Sequence, residues 1–295
     1  MADFGRHTGD GCASLTMDDL TSRCVGTVDM PAHDDAAGLT LAPGAVDIWV
    51  ALVDEVAGSI PDRQFTQELS EEERLQSSRF LLAKDRYRYL VTRALVRYVL
   101  SRYVPLAPQG WRFGTTAYGR PIILNADPGV QDLSFNISHS GQVVVLALTR
   151  TGPVGIDVEA IGRPPAMAIA DSYFSARELR QLRAVPAHEQ GHRFLEFWTL
   201  KESYIKARGM GLSLPLQKIG FELDDDHRLQ TFIDSDLEDA PGNWSFWQWR
   251  PSVDSIGALC VQRCPDISHQ VVVHRTVPFA WEERAPFDVL RHSFF

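Results

Sequence analysis

FLEFWTLKESYIKARGMGLSLPL, residues 194–216, reads as an amphipathic helix that runs to Arg208 and then stops. Phe194, Phe197, Trp198 and Ile205 recur at helical spacing, and no Pro or Gly interrupts them. Gly209 and Gly211 follow at once, and glycine is the residue that a left-handed C-terminal cap favours. Trp198, Glu202 and Lys206 are spaced to share one face of this helix. One reading is a core Trp beside a surface Glu–Lys pair that stabilises the helix by about 0.3–0.5 kcal/mol. A second pair of acids upstream supplies another.

That pair lies in Val154-Gly155-Ile156-Asp157-Val158-Glu159, which alternates as a strand. A period of two puts Asp157 and Glu159 on one face, Ile156 and Val158 on the other. Like charges so placed repel unless solvent or a cation compensates them, so the strand is an exposed edge or part of a cation site. The loop Gly162-Arg163-Pro164-Pro165 follows, a position where functional groups tend to gather. Just before the strand, Thr151-Gly152-Pro153 punctuates the chain and marks a boundary between two halves.

Further upstream, FNISHSG (135–141) precedes an apolar strand over 143–148. It predicts a strand entering a Ser-His-Ser-Gly turn. That turn is either a polar hairpin tip or a rim where hydroxyls, backbone N–H groups and an imidazole meet an anion. Tyr118-Gly119-Arg120-Pro121 is turn chemistry before a short strand at 122–124. Residues 79–103 carry Arg79, Lys84, Arg86, Arg88, Arg93, Arg97 and Arg102 against Asp85 alone, with a helical apolar side. Their basic face is solvated, or it gathers phosphate or an acidic partner, with Arg93 and Arg97 as candidate contacts. Ser70 through Glu73 predicts a capping box opening another helix. The fold is expected to begin at the strand VDIWVALV (46–53).

Downstream of the opening helix, 219–223, 243–249, 255–261 and 271–273 alternate like antiparallel strands. The domain expectation is a loose extension over 1–43, a first half over 44–150, a second half over 151–277 holding the acids, and a tail over 278–295 without clear period.

The 295 residues are 44% hydrophobic with a net charge of −9, which argues against a general nucleic-acid binder. Cys12, Cys24, Cys260 and Cys264 form no CxxC pair and read as idle thiols in a reducing cytosol. No apolar run approaches the ~20 residues that span a bilayer, and the N-terminus lacks a signal-peptide core. The expectation is a cytoplasmic monomer with no membrane or nucleic-acid partner. There is no GxxxxGK[ST] loop, no GxGxxG and no GxSxG. Three acids without Cys or His suit a hard cation such as Mg²⁺, which usually bridges to substrate phosphates. Lys206, one turn beyond Glu202, adds the fixed positive charge that phosphoryl transfer uses.

GIDVE (155–159), FNISHSG and WTLKESYIKARGMG (198–211), in this order and with SRF (78–80), KDR (84–86) and YGRP beside them, resemble the Sfp-type 4′-phosphopantetheinyl transferases over roughly residues 46–273. The resemblance implies an α+β fold of two similar α/β halves related by a pseudo-twofold axis, with the active site in the cleft between them. It implies transfer of the phosphopantetheine arm of coenzyme A to a serine of an apo acyl or peptidyl carrier protein of fatty-acid, polyketide or peptide synthesis. Asp157, Glu159 and Glu202 would hold Mg²⁺, Glu202 would accept the serine proton, and Lys206 would neutralise the cleaved phosphate. Coenzyme contacts would come from Arg79, Arg88, Arg120, Ser138, His139 and Lys206. Glu73 and Gln76 depart from the pattern, standing where some relatives carry lysines for the 3′-phosphate. That departure keeps an alternative open, a non-catalytic module that binds coenzyme A or a carrier protein.

Overall fold

The first described strand, β1 (Ala45–Leu52), is apolar apart from Asp47 because both of its faces become covered. The structure, a computed structural model, describes residues 38–162, 167–224 and 226–293. After β1 come helices α1 (Val53–Ser59), α2 (Asp62–Glu68), α3 (Glu71–Ser78) and α4 (Ala83–Tyr103). The ribbon β2 (Phe113–Thr115) and β3 (Pro121–Ile123) precedes β4 (Ser134–Ser140) and β5 (Val143–Thr149). A second run opens with β6 (Val154–Ala160), then α5 (Ala170–Tyr173), α6 (Ala176–Ala184) and α7 (Ala187–Arg208). It continues through β7 (Ile219–Leu223), β8 (Arg228–Ile233), β9 (Trp244–Trp249) and β10 (Ser255–Gln262). The chain closes with β11 (Gln270–Val277), β12 (Trp281–Ala285) and β13 (Val289–Ser293).

A five-stranded sheet has the order β12-β11-β1-β5-β4, and a six-stranded sheet the order β6-β10-β9-β13-β8-β7. Strand periodicity divides the core into layers. Val144, Leu146 and Leu148 of β5 pack with Leu95, Val99 and Leu100 of α4. The alternate residues Val143, Val145 and Ala147 pack with Ile156, Val158, Leu259 and Val261 of the other sheet. Beyond that sheet, Ile256, Ala258 and Cys260 pack with Phe197, Leu200 and Tyr204 of α7. The order is therefore helix, sheet, sheet, helix, a two-lobed α+β fold. The run 143–148 lacks polar alternation because β5 is covered on both sides.

Several expectations are corrected. Ser138, His139 and Ser140 lie inside β4 and not in a turn. The turn is Gly141-Gln142, with Gly141 at φ 57°, a conformation that glycine adopts without strain. β11 pairs with β1 in parallel, so 270–277 joins the first sheet although the sequence groups it with the second half. The unassigned tail supplies β12 to the first sheet and β13 to the second, where it sits between β9 and β8. Of the extension expected over 1–43, residues 1–37 lie outside the described residues. Its last part already packs: Leu39 N–H donates to Arg102 O at 2.7 Å and Leu41 is buried. Among the described residues no helix is long and apolar enough to cross a membrane.

Candidate active site

β6 is an edge strand of the second sheet, and side chains of β4 meet its unpaired side. Asn136, Ser138 and Ser140 stand opposite Ala147, Val145 and Val143 of β5, at the polar margin of the core between the sheets. Asn136 Oδ1 accepts from Ile156 N–H at 2.9 Å. Ser138 Oγ donates to Asp157 Oδ1 at 2.8 Å. Ser140 Oγ donates to Glu159 Oε2 at 2.8 Å and accepts from Ala160 N–H at 3.1 Å. This ladder satisfies edge N–H groups that would otherwise be left open, and it grips both acids.

α7 lies on β6 at Gly155. A Cβ there would stand 2.0 Å from Ser203 O and 2.4 Å from Ala207 N, so only glycine permits the approach. The helix ends as expected at Gly209, in the left-handed conformation with φ 66°. Its close seat brings Glu202 and Lys206 to the acids. Lys206 Nζ donates to Asp157 Oδ1 at 2.6 Å and to Ser138 Oγ at 2.9 Å. Burial, then the charges of Asp157 and Glu159, push the Glu202 carboxyl up to about 7 against the pull of Lys206. A carboxyl so placed changes protonation near neutral pH, as a general base requires. Beside it opens a pocket of about 210 Å³ lined by Tyr118, Arg120, Asn136, Ile137, Glu202, Ile205, Lys206 and Gly209.

Asp157, Glu159 and Glu202 offer only hard oxygen donors, the set that Mg²⁺ prefers. Among the described residues no three Asp, Glu, His or Cys side chains cage a metal by themselves. Mg²⁺ seldom asks for such a cage, because one or two carboxylates, water and substrate phosphate complete its shell. Asp157 is 4% exposed and its Oδ2 is buried without a hydrogen-bond partner. That orphaned oxygen, beside two further acids, fits such a cation.

His139 points to the other face of β4. Partial burial, then the Arg88 and Lys206 charges, hold its imidazole below the usual range although it reaches solvent. Arg88 pairs with Asp85 at 2.9 Å and, with Lys84, Tyr87, Gly141 and Gln142, lines a second pocket of about 270 Å³. Arg120 is braced on backbone: Nη1 donates to Ala207 O at 2.9 Å and Nη2 to Val154 O at 3.4 Å. The structure does not bring Arg79 to the site; it is exposed and donates to Gln76 Oε1 at 3.1 Å.

Glu73 is likewise no part of a phosphate pocket. It completes the Ser70 capping box and is buried against Arg93 at 2.6 Å and Arg97 at 2.8 Å. Burial pushes its carboxyl up, but Arg93 and Arg97 outweigh that and hold it below the usual range. Arg97, read from sequence as a surface cation for an acidic carrier, is 1% exposed and also donates to Pro108 O and Trp111 O. The sequence reading passed over Asn136 and Ser140. The alternation Asn136, Ser138, Ser140 was the available signal, since polar residues at a period of two imply a polar strand face.

Comparison with known proteins agrees with this geometry. A family model described as the 4′-phosphopantetheinyl transferase superfamily matches residues 153–263. Another, described as 4′-phosphopantetheinyl transferase, N-terminal, matches 62–151. The chain is 38% identical over 180 residues to 4′-phosphopantetheinyl transferase Sfp of Bacillus subtilis (strain 168), covering 58% of this chain and 78% of the relative. It is 30% identical over 227 residues to 4′-phosphopantetheinyl transferase HetI of a Nostoc species, covering 76% of this chain and 90% of the relative. With both halves matched, and the motifs falling on the strand, ladder and helix that build the pocket, the chain belongs to the Sfp-type 4′-phosphopantetheinyl transferases.

Proposed function

We propose that this protein transfers the 4′-phosphopantetheine arm of coenzyme A to a serine hydroxyl of an apo acyl or peptidyl carrier protein, releasing adenosine 3′,5′-bisphosphate. One observation carries the reading: Glu202, pushed up to about 7, shares a pocket with Lys206 beside Asp157 and Glu159. The serine oxygen attacks the pantetheine-side phosphorus of the pyrophosphate. A new O–P bond forms as the bond to the bridging oxygen breaks, and that oxygen leaves on the adenosine bisphosphate. Glu202 takes the serine proton, which its raised affinity for a proton suits near pH 7. Lys206, pinned by Asp157 and Ser138, neutralises charge on the phosphate being cleaved. Bound through Asp157, Glu159 and Glu202, Mg²⁺ would supply positive charge to the pyrophosphate oxygens.

Arg88 and Lys84 hold the coenzyme phosphates from the second pocket, with His139 near Arg88, and Arg120 lines the first. Ser138 acts through the acid and the lysine it bonds. A non-catalytic module is disfavoured, since the departure at Glu73 is accounted for by its buried ion pairs with Arg93 and Arg97. Cys260 and Cys264 are free thiols, which supports a protein working in the reducing cytoplasm.

The test is incubation with coenzyme A, Mg²⁺ and a panel of apo carriers, each then weighed by mass spectrometry. The expected result is a mass gain of one phosphopantetheine on at least one carrier, abolished by a chelator. No gain on any carrier sinks the reading.

A further inference from the structure

The ladder between β4 and β6 contains two serines that do similar work, and only Ser138 figures in the coenzyme site proposed above. Ser140 is 8% exposed, and its hydroxyl is engaged on both sides. Its oxygen accepts from Ala160 N–H, and its one proton goes to Glu159 Oε2. With a lone pair held by the backbone, the hydroxyl cannot rotate away from the carboxylate without losing a bond. The two strands also touch at this point. A Cβ on Gly141, the next residue, would lie 3.0 Å from Ala160 Cβ, so the end of the ladder has little room to slide.

We infer that Ser140 is a positioning residue that acts through Glu159, fixing one carboxylate of the acid set from the opposite lobe. This rests on the proposed Mg²⁺-dependent transfer, because the affinity it sets is that of the acids for the cation. Glu159 is half-buried near the end of β6, where three rotatable bonds separate its carboxylate from the strand. Asp157 has a shorter side chain, held by Ser138 and Lys206. Ser140 therefore acts on the strand acid whose carboxylate reaches further from its backbone. A side chain that orients a metal-binding carboxylate typically changes metal affinity more than it changes anything else.

The experiment measures Mg²⁺ binding to the full chain with coenzyme A present by titration calorimetry, and the Mg²⁺ dependence of carrier modification in parallel. Ser140→Ala is expected to weaken Mg²⁺ by about 10–100-fold, while the KM for coenzyme A stays within about twofold and excess Mg²⁺ restores most of kcat. Ser140→Thr, which keeps the hydroxyl, is expected to bind within about threefold of the wild type. In a Glu159→Gln background, Ser140→Ala is expected to add no further weakening, since the group it acts through is gone. Should Ser140→Ala fail to fold, Ser140→Cys takes its place, with a weaker donor and an intermediate loss expected.

Unchanged Mg²⁺ affinity in Ser140→Ala beside a wild type that does transfer, or a loss that threonine does not rescue, overturns the inference and leaves the reaction standing. A wild type that neither binds Mg²⁺ nor modifies a carrier takes both down together.

Discussion

The two lobes repeat one plan and use it for different ends. Both hold a core of three antiparallel strands in the same order, β1-β5-β4 and β6-β10-β9, with one long helix packed outside. Laid on each other from their first residues, Ala83 and Ala187, α4 and α7 place Arg97 on Lys201, Tyr98 on Glu202, Arg102 on Lys206 and Tyr103 on Ala207. Arg97 and Lys201 each pair with the glutamate of a capping box, Glu73 of α3 and Glu178 of α6. Tyr103 meets Asp47 of β1, donating to its carboxylate, where Ala207 meets Gly155 of β6. Two residues further along those strands, Trp49 packs edge-on to Tyr98, while Asp157 faces Glu202 and Lys206.

What separates the lobes is the open edge. β11 covers the free side of β1 and stacks His274 on Trp49, and Glu282 of β12 takes both Tyr98 and Arg102. Among the described residues no strand pairs with the matching side of β6, where the side chains of the β4 ladder stand instead. A helix face buried under strands in one lobe is left facing a pocket in the other, and there the aromatics give way to acids and a lysine.

The sharpest way to break this comparison is to change the paired positions Glu202 and Tyr98. Glu202→Gln is expected to lower kcat about a thousandfold while coenzyme binding survives in part, because it removes the base but keeps the shape. Tyr98→Phe is expected to leave kcat within about twofold and to cost roughly 1 kcal/mol in denaturant unfolding, the worth of its bond to Glu282. A loss of rate in Tyr98→Phe as large as in Glu202→Gln would mean that both lobes serve the chemistry.

The buried ion pairs sharpen it next. Lys201 and Glu178 are both 0% exposed, and burial pushes Glu178 up and Lys201 down, each opposed by the other's charge. Lys201→Met strands Glu178 and is expected to cost about 3–5 kcal/mol. Arg97→Met leaves Glu73 its second partner, Arg93, so a smaller loss of about 2 kcal/mol is expected. Urea unfolding of both variants decides the ranking. Glu178→Gln in the Lys201→Met background should recover part of the loss.

The second lobe was more legible in sequence than the first. GIDVE and WTLKESYIKARG carry their acids and lysine at strand and helix spacing, so local pattern singled out side chains that the fold then brings together. Both capping boxes depend on residues three apart, and Ser70 with Glu73 was read correctly for the same reason. Where a side chain ends up after folding was not legible. Arg97 and Glu73 look like surface charges in sequence, yet they find each other across 24 positions. Ser138 reads in sequence as a coenzyme contact, and its protein partners Asp157 and Lys206, from β6 and α7, are visible only after folding. β11 gives no hint of parallel pairing with β1, because the partner lies at the far end of the chain. β12 and β13 are short and rich in Arg, Glu and His, so their period is too weak to stand out from a loop.

Glu202 also predicts how pH acts on the two lobes when no divalent cation is present. Its folded carboxyl is raised from the usual 4.5 to about 7, so its contribution to stability is present below about 4.5 and is lost as pH rises through about 7. Wild type is expected to lose roughly 2–3 kcal/mol between pH 5 and pH 8 relative to Glu202→Gln, with Tyr98→Phe tracking wild type. Mg²⁺ is expected to raise the melting temperature more at pH 8 than at pH 5, since it favours the ionised acids. Parallel melting curves for wild type and Glu202→Gln at both pH values would sink the assignment.

The smallest expected effect compares the two capping boxes. Ser70 caps α3 with its hydroxyl partly open to water, which can replace the lost bond to Glu73 N–H in Ser70→Ala, so about 0.5–1 kcal/mol is expected. Ser175 caps α6 from a buried site, packed so closely on β7 that a Cβ on Gly220 would lie 2.7 Å from its oxygen. There water has little access, and Glu178 would lose alignment with Lys201 as well as its cap. Ser175→Ala is expected to cost about 1–2 kcal/mol for that reason. Because α6 and Lys201 brace the helix that carries Glu202, Ser175→Ala should also lower kcat modestly, whereas Ser70→Ala should not. Equal losses of stability with no change of rate in either variant would show that the second lobe's box is only a helix start, like its counterpart in the first.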